Sequence, residues 1–551
     1  MNPLPQGEGT GLASLPFSPA PLLPCSPATR HPPLATCHPP PHNYPMSYPT
    51  FRKVLIANRG EIARRVIRAC HELGIAAVAV YSDVDERALW VREADEAYPL
   101  HGSTAAETYL DHEKILTIAV NCGAEAIHPG YGFLSENAEF AAACARRGLV
   151  FVGPPPEAMR ALGSKAAARQ LAEAHAVPVV PGVDGLGKSD NELAAAAEAI
   201  GYPVLIKASA GGGGKGMRVV NQPGELGDAL QAARQEAQSA FGDPHVLLEK
   251  YFTEIHHVEV QVLGDAHGNL LHLFERECSI QRRHQKIIEE SPSPVVGDNE
   301  ALRAAICAAA VRLARAAGYV SAGTVEFIVD GHGGFYFLEM NTRLQVEHPV
   351  TESVAGVDLV NWQLRIAAGE PLPFAQSDLR QRGHAIECRV YAEDPATGFL
   401  PSIGEIAHYA RPSGPGVRVD DGIASGSAVS PYYDPMLAKV ITWGQDRAEA
   451  IRKMERALRE TVVLGVATNI GYLRDILTVP AFLAGRTSTN FLAEHMAEWT
   501  PPTTAGEEAW IAAAVFELLG AAADDGRQTT ADGGAPVYDP WAAARGWRNV
   551  V

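Results

Sequence analysis

Between residues 51 and 152 the period of the apolar positions switches back and forth. Lys53–Ala57 (KVLIA) is a short apolar run, as expected of a strand covered on both faces. Glu61–Leu73 then places Ile62, Val66, Ile67, Cys70 and Leu73 at helical spacing and stops at Gly74. Ile75–Tyr81 reads as a strand again. A second unit follows: strand Ala124–His128, turn Pro129–Gly132, helix Ala138–Arg147, then Gly148 and strand Leu149–Val152. Strand–helix alternation of this kind predicts an α/β fold with a parallel, doubly wound sheet. From about 165 to 384 the pattern changes to strands, hairpins and a glycine run. After 385 a third α/β region ends near Leu492.

The two ends read differently. Residues 1–50 are rich in proline and carry only Glu8 and Arg30 as charges, too little apolar content to offset ordering entropy, so this arm is expected to be disordered. It has neither a transit-peptide nor a signal-peptide pattern, and Met46 is an alternative start. Residues 498–551 carry an expected helix, 507–520, and a Gly/Asp/Thr-rich stretch. Trp541 and Trp547 follow, read as core or interface residues.

Composition narrows the function classes. A chain of 551 residues divides into about three to four domains. The net charge of −18 argues against a broad nucleic-acid surface. No run approaches the ~18 apolar residues of a membrane helix, so no membrane role is expected. The eight cysteines form no C-x-x-C pair, which points to reduced thiols and a cytoplasmic location.

Three runs carry chemistry. Pro203–Ala208 (PVLIKA) is a strand bearing Lys207, followed at once by Ala210-Gly-Gly-Gly-Gly-Lys215-Gly216. Consecutive glycines are entropically expensive unless a loop must lie close to a ligand, and backbone N–H groups in such a loop can cradle phosphate. It is not a P-loop, since Ser209 and Gly216 break that pattern. A mobile lid over nucleotide phosphates is the expectation. In the second run, Thr324–Asp330 and Phe335–Asn341 form a hairpin around Gly331–Gly334. A two- or four-residue loop sets Glu326 opposite Glu339, and opposed carboxylates repel unless a cation lies between them. Mg²⁺ or Mn²⁺ suits those oxygens, with Asn341 on the same face. If the strand stays extended, Arg343, Gln345 and Glu347 continue that track. The third run, Gln281-Arg282-Arg283-His284-Gln285-Lys286, concentrates positive charge in an acidic chain and suits a polyanion. Asn58-Arg59-Gly60, by contrast, is read as a packing turn rather than an anion site.

These runs resemble the biotin carboxylases of the ATP-grasp superfamily. The resemblance is carried by IANRGEIA at 56–63, HPGYGFLSEN at 128–137, CSIQRRHQKIIEE at 278–290, FLEMNTRLQVEHPVTE at 337–352 and ECRVYAEDP at 387–395. It implies an N-terminal biotin carboxylase domain over 51–164, an ATP-grasp domain over 165–384 with its lid at about 180–250, and a C-terminal α/β domain over 385–497. It also implies an ATP-dependent ligase that joins bicarbonate to biotin, the first half-reaction of an acyl-CoA carboxylase.

The site residues implied by the resemblance fall into four groups. Lys165, Lys207, Gly213, Gly214, His257, Gln281 and His284 would meet the ATP, with Glu249, Lys250, Tyr251 and Phe252 as adenine hinge. Glu326, Glu339 and Asn341 would hold Mg²⁺ or Mn²⁺. Lys286, Arg343, Gln345 and Val346 would bind bicarbonate, Val346 through its backbone. Glu347 would be the base, with its pKa lowered by nearby cations, and Arg389 would stabilise the biotin enolate. No Met-Lys dipeptide occurs, so the biotin-attachment motif is missing, although DPWAAARGWR at 539–548 resembles the start of an acyl-CoA carboxylase α-chain linker. Biotin would then arrive on a carrier in trans, with a carboxyltransferase subunit as further partner and a homodimer as the assembly. The alternative is another ATP-grasp ligase, of carboxylate–amine or carbamoyl-phosphate type.

Overall fold

In a computed structural model of the chain, the described residues are 50–208, 217–283, 285–501, and 511, 514 and 515. The expected arm at 1–49 and most of the 498–551 tail therefore lie outside them. Of the helix expected over 507–520, the three described residues are helical.

The first sheet is parallel throughout. Its strands β1 (Lys53–Ile56), β2 (Ala76–Tyr81), β3 (Glu96–Pro99), β4 (Ala126–His128) and β5 (Val150–Phe151) lie in the order β3-β2-β1-β4-β5. Alternate side chains supply its two faces, as strand geometry requires. Val54, Ile56, Ala77 and Ala79 join one apolar cluster, while Leu55, Ala57, Val78 and Val80 join another. Helix α1 (Gly60–Glu72) covers the first face with Ile62, Val66 and Cys70. The doubly wound expectation is met for four strands, with ends moved by one or two residues; edge strand β3 and helix His112–Asn121 are additions the sequence reading lacked.

Next comes a four-stranded antiparallel sheet: β6 (Gly182–Asp184), β7 (Val204–Ala208), β8 (Arg218–Val220) and β9 (Val246–Lys250), in the order β6-β9-β7-β8. It packs on helices Asp190–Ile200 and Leu226–Phe241 through Leu193, Val204, Ile206, Leu230 and Leu248. The glycine run 211–214 between β7 and β8, and with it Gly213 and Gly214, lies outside the described residues.

The largest sheet has eight antiparallel strands. It contains β10 (Ile255–Gly264), β11 (Leu270–Arg282), β12 (Gln285–Ser291), β13 (Ser321–Asp330), β14 (Phe335–Asn341) and β15 (His384–Tyr391), plus strands Met436–Gly444 and Val417–Asp421. The order is β14-β13-β10-β11-β12-β15, then 436–444 and 417–421. The sheet thus runs unbroken past position 385, because β15 hydrogen-bonds to β12.

The carboxylate hairpin reaches the expected pairing by an unexpected route. Val329 faces Phe335, and the Asp330 amide donates to the Gly334 carbonyl at 2.8 Å, so the loop has three residues, an odd number. That register alone would put Glu326 opposite Leu338. A β-bulge at Leu338 inserts one residue and restores Glu326 opposite Glu339. The extended track past Asn341 is not found. Residues 342–347 leave the strand and turn into helix His348–Ala355. Arg343, Gln345 and Glu347 are therefore placed by a loop rather than by strand alternation.

Candidate active site

A cavity of about 1820 Å³ opens between the first sheet, the small sheet and the eight-stranded sheet. Of the expected residues that are described, all but Glu347 line it. His284 lies outside the described residues.

At one end the wall comes from β7, β9 and the segment after β9. Lys207 on β7 reaches along the neighbouring strand β9 to pair with Glu249, its direct cross-strand partner being Leu247. Lys250 turns its ammonium to the carbonyls of Gly201 and Tyr202, at 2.8 and 3.0 Å. Tyr251 is tied through its amide to the Pro203 carbonyl, and Phe252 stacks on Tyr336 with ring centroids 5.0 Å apart. Lys165 begins helix Lys165–Ala174 and lies 3.4 Å from Glu339, with its side chain 77% exposed.

The Glu326 carboxylate sits where the two ends meet. Its Oε1 accepts from Lys286 at 3.1 Å, Asn341 at 2.8 Å and Gln345 at 3.0 Å, and its Oε2 faces His257 at 3.0 Å. Burial pulls His257 down, but Glu326 outweighs it and raises the imidazole to about 9. Burial opposes ionisation of Glu326 too, yet Lys286 and His257 hold it well below the usual carboxylate range. Gln281 donates to the Cys278 carbonyl at 2.7 Å and lies 3.2 Å from His257 Nδ1. Asn341 Oδ1 accepts from Arg343 at 2.9 Å. Glu326, Glu339 and Asn341 all border the cavity and offer only oxygen ligands, the donor set a hard divalent cation takes. These residues fit such an ion.

The other end is buried and dense with charge. Glu347, fully buried, lies behind the cavity wall. Its Oε1 accepts from Lys286 at 2.7 Å and its Oε2 from Arg389 at 2.9 Å. Burial and Glu259 push its carboxyl up, but Lys286, Arg389 and Arg276 prevail and hold it below the usual range. This is the direction expected from the sequence. Lys286 also donates to Glu259 at 2.7 Å. Arg343 is held by Glu136 at 3.0 Å and by Gln345 at 2.6 Å.

Several contributors were missed in the sequence. Glu259 and Arg276 form a buried pair on neighbouring strands, and Lys439 donates to the Val346 carbonyl at 2.8 Å while lying 3.2 Å from Glu61. Tyr131 donates to Glu61 in turn. These residues lie from 17 to several hundred positions along the chain from their partners, so periodicity gives no signal. The one available hint was that a charged residue recurs inside runs otherwise apolar, as with Lys439 in MLAKVITW. Asn58-Arg59-Gly60 behaves as a packing turn: Asn58 donates to the Pro129 and Tyr131 carbonyls, and Arg59 forks onto Asp85 beneath the Tyr433 ring. Gly130, at φ +63°, leaves the space Asn58 fills; a Cβ there would lie 2.9 Å from its amide nitrogen.

Similarity to known proteins agrees with this geometry. Residues 50–159 match the family model for the biotin carboxylase N-terminal domain. Residues 164–375 match the ATP-binding domain of the carbamoyl-phosphate synthase L chain, and 387–494 the biotin carboxylase C-terminal domain. The biotin carboxylase of Nostoc is 51% identical over 444 residues, covering 81% of this chain and 99% of its own. The mitochondrial methylcrotonoyl-CoA carboxylase subunit alpha of Dictyostelium discoideum is 48% identical over 468 residues, covering 85% of this chain, and this chain spans only 67% of its length. Among solved structures, the biotin carboxylase domain dimer of Hydrogenobacter thermophilus 2-oxoglutarate carboxylase, in complex with MgADP, ADP and bicarbonate, superposes with a TM-score of 0.76. It is 48% identical and covers 82% of this chain and 100% of that one. With this fold, these motifs and these relatives, the chain belongs to the biotin carboxylase family of ATP-dependent ligases.

Proposed function

We propose that this chain uses ATP and bicarbonate to carboxylate biotin carried by a partner protein, yielding carboxybiotin, ADP and phosphate as the first half-reaction of an acyl-CoA carboxylase. The working parts are residues 51–164, the ATP-grasp portion 165–384 and the C-terminal portion 385–497. One observation carries the reading above all: Lys286 and Arg389, which line one end of the cavity, clamp Glu347 just behind its wall, and the other end presents Lys165, Lys207 and the segment 249–252.

Lys165, Lys207 and His257 meet the nucleotide phosphates, Gln281 contributes to the ATP site, and Glu249–Phe252 flank the adenine. Bringing bicarbonate to a triphosphate gathers anions, so cations must be in place first. Lys286 and Arg343 supply them, and Gln345 and the Val346 backbone orient the bicarbonate. A divalent ion held by Glu326, Glu339 and Asn341 would neutralise phosphate charge. Glu347 takes the bicarbonate proton. Its low proton affinity means that its effect comes from placement and from the acidity that the same cations lend to bicarbonate. Arg389 holds the biotin ureido oxygen while negative charge develops there, a task suited to a planar, permanently charged guanidinium.

The carrier acts in trans, a carboxyltransferase accepts the carboxyl group, and the working form is a homodimer in the cytoplasm. Six described cysteines are free thiols, in keeping with a reducing setting. No helix among the described residues is long and apolar enough to cross a membrane. The test is ATP cleavage that requires bicarbonate and rises on adding free biotin. Turnover without biotin stimulation would favour a different ATP-grasp ligase.

A further inference from the structure

Two more carboxyls lie beneath Arg389. Glu289 on β12 and Glu387 on β15 are direct cross-strand partners, and both are fully buried. Directly opposed residues hold their Cβ atoms about 4.5–5.5 Å apart. Glu289 Oε1 accepts from Arg389 Nε at 2.5 Å. Its Oε2 and both oxygens of Glu387 have no hydrogen-bond partner. A buried carboxylate without donors is costly, and two side by side do not both stay ionised.

No neighbouring cation resolves this. Lys439 stands opposite Arg389 on the next strand, but gives its ammonium to the Val346 carbonyl and Glu61. Lys286, on the strand of Glu289, is engaged by Glu259, Glu326 and Glu347. Helix His348–Ala355 covers this face with the neutral His348 and with Glu347 at its start, which adds negative charge. On the opposite face Ile386, Cys388 and Val440 pack into an apolar cluster with helix Arg447–Glu460.

We propose that Glu289 and Glu387 share one proton and act as a single monoanion, a positioning pair that aims the Arg389 guanidinium at the biotin ureido oxygen. The proposal rests on the reading of Arg389 given above. One negative charge from the pair, with one from Glu347, brackets the guanidinium. A second charge on the pair would draw Arg389 inward and cancel the positive charge it offers biotin. The shared proton also supplies the donor these oxygens lack. Burial and Glu347 push Glu289 up to about 7, while burial and Glu289 push Glu387 well above the usual carboxylate range. The two titrate as a unit.

The experiment pairs infrared spectroscopy with biotin kinetics on the full chain. Near neutral pH the wild type should give a protonated-carboxyl band that weakens as pH rises, in step with a fall in kcat/KM for biotin. Glu387→Gln, which stays neutral and keeps a hydrogen-bonding group, should lose that band and move the alkaline fall to higher pH. Glu289→Gln should lower kcat/KM for biotin by up to about 100-fold, the scale of a misplaced catalytic group, while KM for ATP changes much less. An unchanged band and a superimposable pH profile in Glu387→Gln overturn the proposal. If that variant does not fold, a wild-type band that fails to follow the biotin kinetics overturns it instead. Failure of the parent reading looks different: Arg389→Ala would still carboxylate biotin while the titrating band remained.

Discussion

The two ends of the cavity are built on opposite plans. At the carboxylate end, the side chains of Lys286, Glu347 and Arg389 are 14%, 0% and 9% exposed, and each is already ion-paired. At the nucleotide end, Lys165 and Glu339 are 77% and 39% exposed and 3.4 Å apart. Taking charges out of water costs several kcal/mol per ion and is recovered only when geometry and hydrogen bonds are complete. The buried end has met that requirement within the fold, so under the proposed function it would receive bicarbonate and biotin with little rearrangement. The nucleotide end holds charges that water still solvates and that the substrate itself must organise.

Substitutions should divide along this line. Glu347→Gln removes the base and should slow bicarbonate-dependent ATP cleavage by about 10²–10⁴-fold with a nearly normal KM for ATP, measured by coupled ADP release. If KM for ATP rose in proportion, the two ends would not be separable. Arg389→Ala should cut carboxybiotin formation by about 10²–10³-fold while biotin-independent ATP cleavage falls far less. Full activity with biotin would remove Arg389 from its role. Glu326→Ala strikes the junction. It should weaken binding of the metal–nucleotide complex, read from the metal dependence of KM, and should also destabilise the fold by about 3–5 kcal/mol because Lys286 and His257 lose a buried partner.

Acid provides a further probe, of a buried charge cluster on the opposite face of β12. Burial disfavours the Glu290 carboxylate, but His384 and Arg447 outweigh that and lower it from 4.5 to about 2. A depressed carboxyl stabilises the fold above its unfolded value and loses that contribution as pH falls through the folded value. Over that window, between about pH 4.5 and 2, roughly 3 kcal/mol should disappear. Denaturant titrations of wild type and Glu290→Gln measure it, the variant being less stable at neutral pH and flatter in acid; parallel curves would refute the assignment. The smallest effect is expected at the exposed end, where Lys165→Ala should change stability by less than about 1 kcal/mol. A larger loss of stability there would erase the contrast between the ends.

Legibility in the sequence follows the same division. Most of the first sheet could be read because its strands and helices are contiguous and carry their own period, whereas the division of Val54 and Leu55 between opposite faces comes from the fold. The hairpin pairing of Glu326 with Glu339 was also legible, though its route was not. An odd loop and a bulge at Leu338 cancel each other, and a bulge leaves no mark on hydrophobic period. Arg343 and Gln345 reach the cavity by a turning loop, not by the extended strand the alternation suggested.

Local spacing and short motifs are enough to name the lysines, the arginines and the acids, since residue type and neighbours along the chain identify them. How those charges are made tolerable is settled by the folded arrangement. Glu259 meets Arg276 across the β10–β11 hairpin, Glu289 meets Glu387 by the register of two strands far apart in the chain, and Lys439 meets Glu61 where helix α1 packs on the large sheet. Ionisation in a buried place is set by every charge within a few ångströms, and proximity in space is not a property that adjacency along a chain encodes.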